Sequence, residues 1–165
     1  MPQVILGLGS NIPPAKENID RALAALTSLG TVKEVAPYII SKPEGFTNQA
    51  DFINTVAIFS TPYEPMPLLK KLKTLEKDLG RTPTFKDGPR VIDLDILFYE
   101  DREIFEDEAD YFLIVPHPRI PEREFVLKPL SYILPELVHP TLQKPIYRLY
   151  RELMKKKGTP SCKIL

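Results

Sequence analysis

The chain has 165 residues, 43% hydrophobic and 27% charged, an ordinary soluble composition with enough length to bury a core in one domain spanning residues 1–165. Lysine plus arginine and aspartate plus glutamate each number 22, so the formal net charge is zero and no global field favours a nucleic acid or an anionic membrane surface. The single cysteine, Cys162, excludes an internal disulfide, and no apolar run suits a signal peptide or a membrane span, so a cytoplasmic protein is expected.

In chain order, residues 3–9 (QVILGLG) read as a strand. A helix follows over 14–29, with Ile19, Ala22, Leu23, Leu26 and Leu29 on one stripe and Gly30 as its stop. Residues 31–41 and 51–60 read as strands flanking the loop KPEGFTNQ. A second helix over 66–79 carries Leu68, Leu69, Leu72, Leu75 and Leu79 and ends at Gly80. The loop RTPTFKDGPR leads to a strand over 91–99. The order β-α-β-β-α-β is the ferredoxin-like pattern, an α+β fold with an antiparallel sheet and both helices on one face, which leaves the other face for a site. Beyond residue 100 come short strands at 103–105 and 112–115, a turn PHPRIPER, a helical piece at 129–134 and a helix over 146–157. The Lys155-Lys156-Lys157 run suits a solvated helix C-terminus, Cys162 an incidental tail position, His139 a structural histidine and Gly7-x-Gly9-Ser10-Asn11 a tight strand-to-helix turn.

The strand VIDLDILFY places two acids in an apolar run. Alternation puts Asp93 and Asp95 on one face, roughly 7 Å apart at Cα, and Ile92, Leu94, Ile96 and Phe98 on the other. Paired carboxylates beside a core need a counter-charge. Magnesium, held by one or two carboxylates plus phosphate oxygens, would answer that need, with Arg90 as a phosphate fork. Surface ion pairing with Arg90 or a lysine is the simpler account of an isolated Asp-x-Asp.

The run Lys86-Asp87-Gly88-Pro89-Arg90-Val91-Ile92-Asp93-Leu94-Asp95-Ile96-Leu97 resembles the signature of the 6-hydroxymethyl-7,8-dihydropterin pyrophosphokinases across its full width. GLGSN at 7–11, SKPEG at 41–45, QADFIN at 49–54, LEKDLGR at 75–81 and VPHPRIPEREFVLKPL at 115–130 extend the resemblance in the family's order. It implies transfer of the β,γ-diphosphate of ATP to the pterin hydroxymethyl group, leaving AMP. It implies two Mg2+ on Asp93 and Asp95, phosphate contacts from Arg81 and Arg90, and a mobile loop between those arginines that closes over ATP. Ile96, His117 and Arg123 match further ATP-side positions.

For the pterin, Phe52 and Phe125 match the family's stacking aromatics and Asn54 its amide reader, while Ser41, Pro43 and Gly45 lie in the loop whose backbone contacts the ring in relatives. Departures fall at Pro83, where some members place another arginine, at Asp87, where some place a tryptophan, and at Pro118, where some carry a tyrosine. They bear on how the loop seals the site and leave the metal ligands intact. The partners expected are ATP and the pterin, with no nucleic acid or membrane, for a monomeric enzyme. Two other readings stay open: a magnesium-dependent γ-phosphoryl kinase of another small alcohol, and a non-catalytic ferredoxin-like module that holds a nucleotide or metal.

Overall fold

The computed structural model describes residues 1–165. Its central sheet takes β1 (Gln3–Ser10), β2 (Thr31–Val35), β3 (Ile39–Ser41), β4 (Phe52–Ser60), β5 (Asp93–Tyr99) and, after the β6 (Ile104–Glu108) and β7 (Tyr111–Val115) hairpin, the two-residue β8 (Lys163–Ile164). The strand order is β5-β1-β4-β3-β8, with β2 also on β4, and β1 runs antiparallel to both β4 and β5. This is the expected ferredoxin-like order, with β1 at the centre between β4 and β5.

Two helices pack on one face, as their apolar periodicity requires. α1 (Ala15–Ala25) ends sooner than expected and runs into a 3-10 turn over Leu26–Ser28. α2 (Pro65–Asp78) begins at a proline, whose fixed φ suits a first helical turn, and stops before Gly80 at φ +104°. Ile19, Leu26, Leu68 and Leu72 close over Leu6, Leu8, Phe59, Leu94 and Ile96. Each such side chain contributes about 1.5–3 kcal/mol by leaving water.

The expected strand over 31–41 is two strands, because Pro37 brings no N–H to the ladder and the chain leaves β4 between Ala36 and Tyr38. On β5 the alternation also breaks. Ile5 pairs with Phe98 and Leu6 with Ile96, leaving Leu97 as the extra residue of a β-bulge. Leu97 and Phe98 therefore both face away from α1 and α2, and the expectation that Phe98 shares a face with Ile96 is corrected.

The second face is not free along its whole length, as the helix count to residue 100 suggested. α3 (Glu124–Ile133) and α4 (Ile146–Lys157) cover part of it, burying Leu127, Leu130, Ile146 and Leu149 against Ile5, Val56, Ile58, Leu97 and Phe98. α3 starts five residues before the expected Pro129 and carries that proline inside. The uncovered remainder is the end of the sheet where β1 finishes and β4 and β5 begin. Cys162 is not incidental: it is buried where the chain after α4 returns to pair with β3. No helix is long and apolar enough to cross a membrane.

Candidate functional site

The uncovered end of the sheet is a trough. Gly9 lies in the ladder between Asp93 and Asn54, and Gly7 between Asp95 and Val56. With two side chains missing from the middle strand, the face sinks between its neighbours into a cleft that opens to solvent. A Cβ on Gly9 would meet Asn54 Oδ1 at 2.5 Å, and one on Gly7 would meet Leu97 at 3.3 Å. The expected tight turn at 7–11 is thus corrected: the strand continues through Ser10, and both glycines serve by lacking a side chain.

Asp93 and Asp95 stand along one side of this floor and line the cleft. The Asp93 carboxylate accepts from Arg81 at 3.0 Å and from Arg90 at 3.1 Å. Burial pushes its pKa up, but Arg90 and Arg81 outweigh burial and hold it below the usual aspartate value. Asp95 has no ion pair within 4 Å; burial first, and then the charge of Asp93, push it up to about 7. Behind them, the buried Glu76 of α2 accepts the Leu94 N–H at 2.7 Å and pairs with Arg81 at 3.0 Å, so one carboxylate orients both the arginine and the start of β5. Burial raises the Glu76 carboxyl despite the nearby Lys73.

The donor set suits a hard, partly hydrated cation. Two carboxylates share a face with no third acid, histidine or cysteine grouped with them, and the pKa of one of the two stays raised despite the charges of Lys73 and Arg123. That matches magnesium, which completes its shell with water and phosphate oxygens, and does not resemble a zinc or calcium cage. The Nε atoms of Arg90 and Arg123, both lining residues, are buried without a hydrogen-bond partner, which leaves donors for an anion.

At the other end of the cleft are Phe52, Asn54, Ser41 and Phe125. Asn54 Nδ2 donates to Ser41 Oγ at 2.7 Å, which fixes the amide's orientation. Arg123 stacks over the Phe125 ring at 5.2 Å and reaches Glu44 at 3.2 Å. The structure thus brings together Ser41, Phe52, Asn54, Arg90, Asp93, Asp95, Arg123 and Phe125, with Arg81 against Asp93.

Other expected site residues stand apart. Ile96 is buried in the opposite core, because alternation turns it from the aspartates, and its side chain cannot reach the cleft. Pro43 and Gly45 do not line it; Lys42 and Glu44 of that loop do. Gly45, at φ +68°, instead lets its loop approach the Asp87 carboxylate. His117 lines a neighbouring hollow with Ile114 and Val115. Its Nδ1 accepts the Arg119 N–H at 3.2 Å, which leaves the proton on Nε2 as a free donor. Burial and Arg123 lower its pKa to about 4, so the ring is neutral at pH 7.

Two amides not singled out from sequence hold the rim. Buried Asn11 accepts the Arg90 N–H at 2.8 Å and donates to Gln49 Oε1 at 2.8 Å and to Ala50 O at 3.0 Å. Gln49 in turn donates to Asp87 O and Phe46 O, both at 2.6 Å. Three loops, after β1, before β4 and before β5, meet at this pair. The only signal for Asn11 was its place in GLGSN, and for Gln49 its place in QADFIN.

Residues 5–135 match the family described as 7,8-dihydro-6-hydroxymethylpterin-pyrophosphokinase. A relative from Aquifex aeolicus (strain VF5), named 2-amino-4-hydroxy-6-hydroxymethyldihydropteridine pyrophosphokinase, is 40% identical over 146 residues, covering 88% of this chain and 89% of the relative. The folic acid synthesis protein FOL1 of Dictyostelium discoideum is 39% identical over 139 residues, 84% of this chain but 20% of that protein. Among solved structures, wild-type Plasmodium falciparum HPPK-DHPS with pteroate superposes with a TM-score of 0.81 at 16% identity, covering 99% of this chain and 47% of that one. The chain therefore spans nearly all of the Aquifex relative and under half of the longer ones.

Proposed function

Because the chain belongs to the 7,8-dihydro-6-hydroxymethylpterin-pyrophosphokinase family, we propose that it transfers the β,γ-diphosphate of ATP to the hydroxymethyl group of 6-hydroxymethyl-7,8-dihydropterin in folate biosynthesis. The observation that carries this reading is the trough itself. On one glycine floor it has a carboxylate pair, one member of which stays raised in pKa, at one end and an oriented amide with two aromatic rings at the other.

The pterin is a flat heterocycle with donors and acceptors along one edge. Asn54, held by Ser41, offers both kinds of group to that edge, while Phe52 and Phe125 offer ring faces. The hydroxymethyl oxygen then lies toward the aspartates. Its lone pair attacks the β-phosphorus of ATP, the bond from that phosphorus to the oxygen bridging to the α-phosphate breaks, AMP leaves and the hydroxyl proton is released. Two magnesium ions on Asp93 and Asp95 would neutralise charge on the phosphate oxygens in this transfer. Arg81 and Arg90, which hold Asp93 in the free chain, are the fitting partners for phosphate oxygens, with Arg123 and the His117 Nε2–H as further donors. Positioning and charge stabilisation account for most of such a reaction. Closing over bound ATP, the loops joined through Asn11 and Gln49 would exclude water, the competing nucleophile. The reading is of one catalytic domain over 1–165, a cytoplasmic monomer; sedimentation of the purified chain tests the monomer.

The decisive experiment is nucleotide product analysis with ATP, magnesium and the pterin, beside reactions lacking the pterin or the metal. AMP formed only with both supports diphosphoryl transfer. ADP would retain the metal site and discard this reaction, and ATP binding without turnover would favour a binding module.

A further inference from the structure

Glu124 is the first residue of α3 and stands between Arg123 and Phe125, which both line the cleft, yet its own side chain is 1% exposed and turned away into protein. Its carboxylate is saturated by the segment that follows α4. It accepts the Ser161 N–H at 3.0 Å, the Cys162 N–H at 3.0 Å, the Ser161 hydroxyl at 3.0 Å and the Lys157 ammonium at 2.9 Å. A second clamp lies one helical turn on, where Lys128 Nζ donates to Cys162 O at 2.9 Å.

The same segment then crosses to the sheet. Lys163 and Ile164 pair with Ile40 and Ile39 of β3, and the Leu165 N–H donates to Tyr38 O at 2.9 Å. β3 ends at Ser41, whose hydroxyl orients Asn54. One short piece of chain is therefore bonded at one end to the helix turn that presents Phe125 and Arg123, and at the other to the strand that presents Ser41. Neither Glu124 nor any residue of 158–165 lines the cleft, and the segment lies outside the residues that match the family.

We propose that Glu124 and the segment Ser161–Leu165 form a positioning brace that sets the separation of the cleft's two pterin-facing walls, α3 and β3. This rests on the pterin reading given above. The brace acts through geometry and touches no substrate. A buried carboxylate bonded by four donors holds its helix turn in one place because any displacement strands a charge. Three of the groups it steadies, Phe125, Ser41 and through it Asn54, face the pterin end, whereas only Arg123 serves the phosphates. Its loss must fall mainly on pterin affinity.

Removal of residues 161–165 and Glu124→Gln, made singly and together, test this by calorimetric dissociation constants for the pterin and for magnesium-ATP, with thermal melting to verify folding. Each single change is expected to weaken pterin binding about tenfold and ATP binding by a smaller factor, and the double change to add little, since both break one brace. Folded variants with unchanged pterin affinity, equal losses for both ligands, or fully additive effects would overturn the proposal. If the shortened chain does not fold, Ser161→Ala removes a single hydroxyl donor and is expected to cost about twofold to threefold in pterin affinity alone; unchanged affinity there counts equally against it. An unmodified chain that binds no pterin would instead overturn the functional reading on which the brace depends.

Discussion

With Arg81 and Arg90 committed to Asp93, Asp95 is a half-buried carboxylate beside a like charge, and the fold is weaker whenever it ionises. Its folded value of about 7 lies above the ordinary 3.8, so between those pH values the native state keeps a proton that the unfolded chain has released, and stability falls as pH rises. Asp95→Asn should therefore stabilise the metal-free protein by about 1–3 kcal/mol at pH 8 and by almost nothing at pH 4, while lowering turnover by about a thousandfold or more. Urea unfolding at the two pH values and product assays check both halves; an active or unstabilised variant would contradict the metal-ligand role. Strand parity made this pair visible in the sequence, along with Phe52 and Asn54 on one face. Gly7 and Gly9 were misread because a missing side chain looks the same whether the chain turns or lets a ligand approach. Gly9→Ala drives a methyl to 2.5 Å from Asn54 Oδ1, so pterin affinity should drop about tenfold or more with ATP affinity nearly kept, as titration of each ligand would show.

At the scale of elements, the long amphipathic helices and the apolar strands were legible because their periods are local. The bulge at Leu97, the break at Pro37 and the early start of α3 were not, because each depends on which strand or helix lies alongside. The loops show the same division. Their composition marked them as rigid and functional, but the Asn11–Gln49 pair exists only where three of them meet. Gln49→Ala removes the donors to Phe46 O and Asp87 O and the acceptor for Asn11. The loops before β4 and β5 should then close less completely. Steady-state kinetics are expected to show KM for both substrates up about threefold to tenfold, with a Tm loss of only a few degrees. A change confined to one substrate would mean that the amide contacts it directly.

Over the whole molecule, the layer made by α1 and α2 was evident in the sequence; of the second layer the helix over 146–157 was read as α4 stands, but its packing with α3 on the other sheet face was not, since α3 emerges from an irregular, proline-rich stretch. The zero net charge likewise concealed how unevenly the buried ionisable groups are tuned, and their opposition shapes stability against pH. Asp95 favours folding as pH falls from about 7 toward 3.8. His117 does the reverse: its folded value of about 4 lies below the ordinary 6.5, so its contribution is whole above 6.5 and is lost as pH falls toward 4, with His139 shifted in the same sense. The two shifts are opposite in sign, so they offset each other in part and the metal-free protein should vary less in stability between about pH 4.5 and 6.5 than either group alone would make it. Below the ordinary aspartate value Asp95 no longer offsets Glu124. Donors from Ser161, Cys162 and Lys157 hold it at about 2 against an ordinary 4.5, and about 3 kcal/mol present above pH 4.5 is lost as pH falls through 2. Urea midpoints across pH 2–8 are expected to give a shallow region with a steep acid limb. Asp95→Asn should tilt the shallow region so that stability drops on acidification from pH 6.5, and His117→Asn should tilt it the other way. Glu124→Gln should lower the shallow region and flatten the acid limb. A shallow region unmoved by either of the first two substitutions would mean that these groups do not titrate against each other, and that the shallowness has another origin.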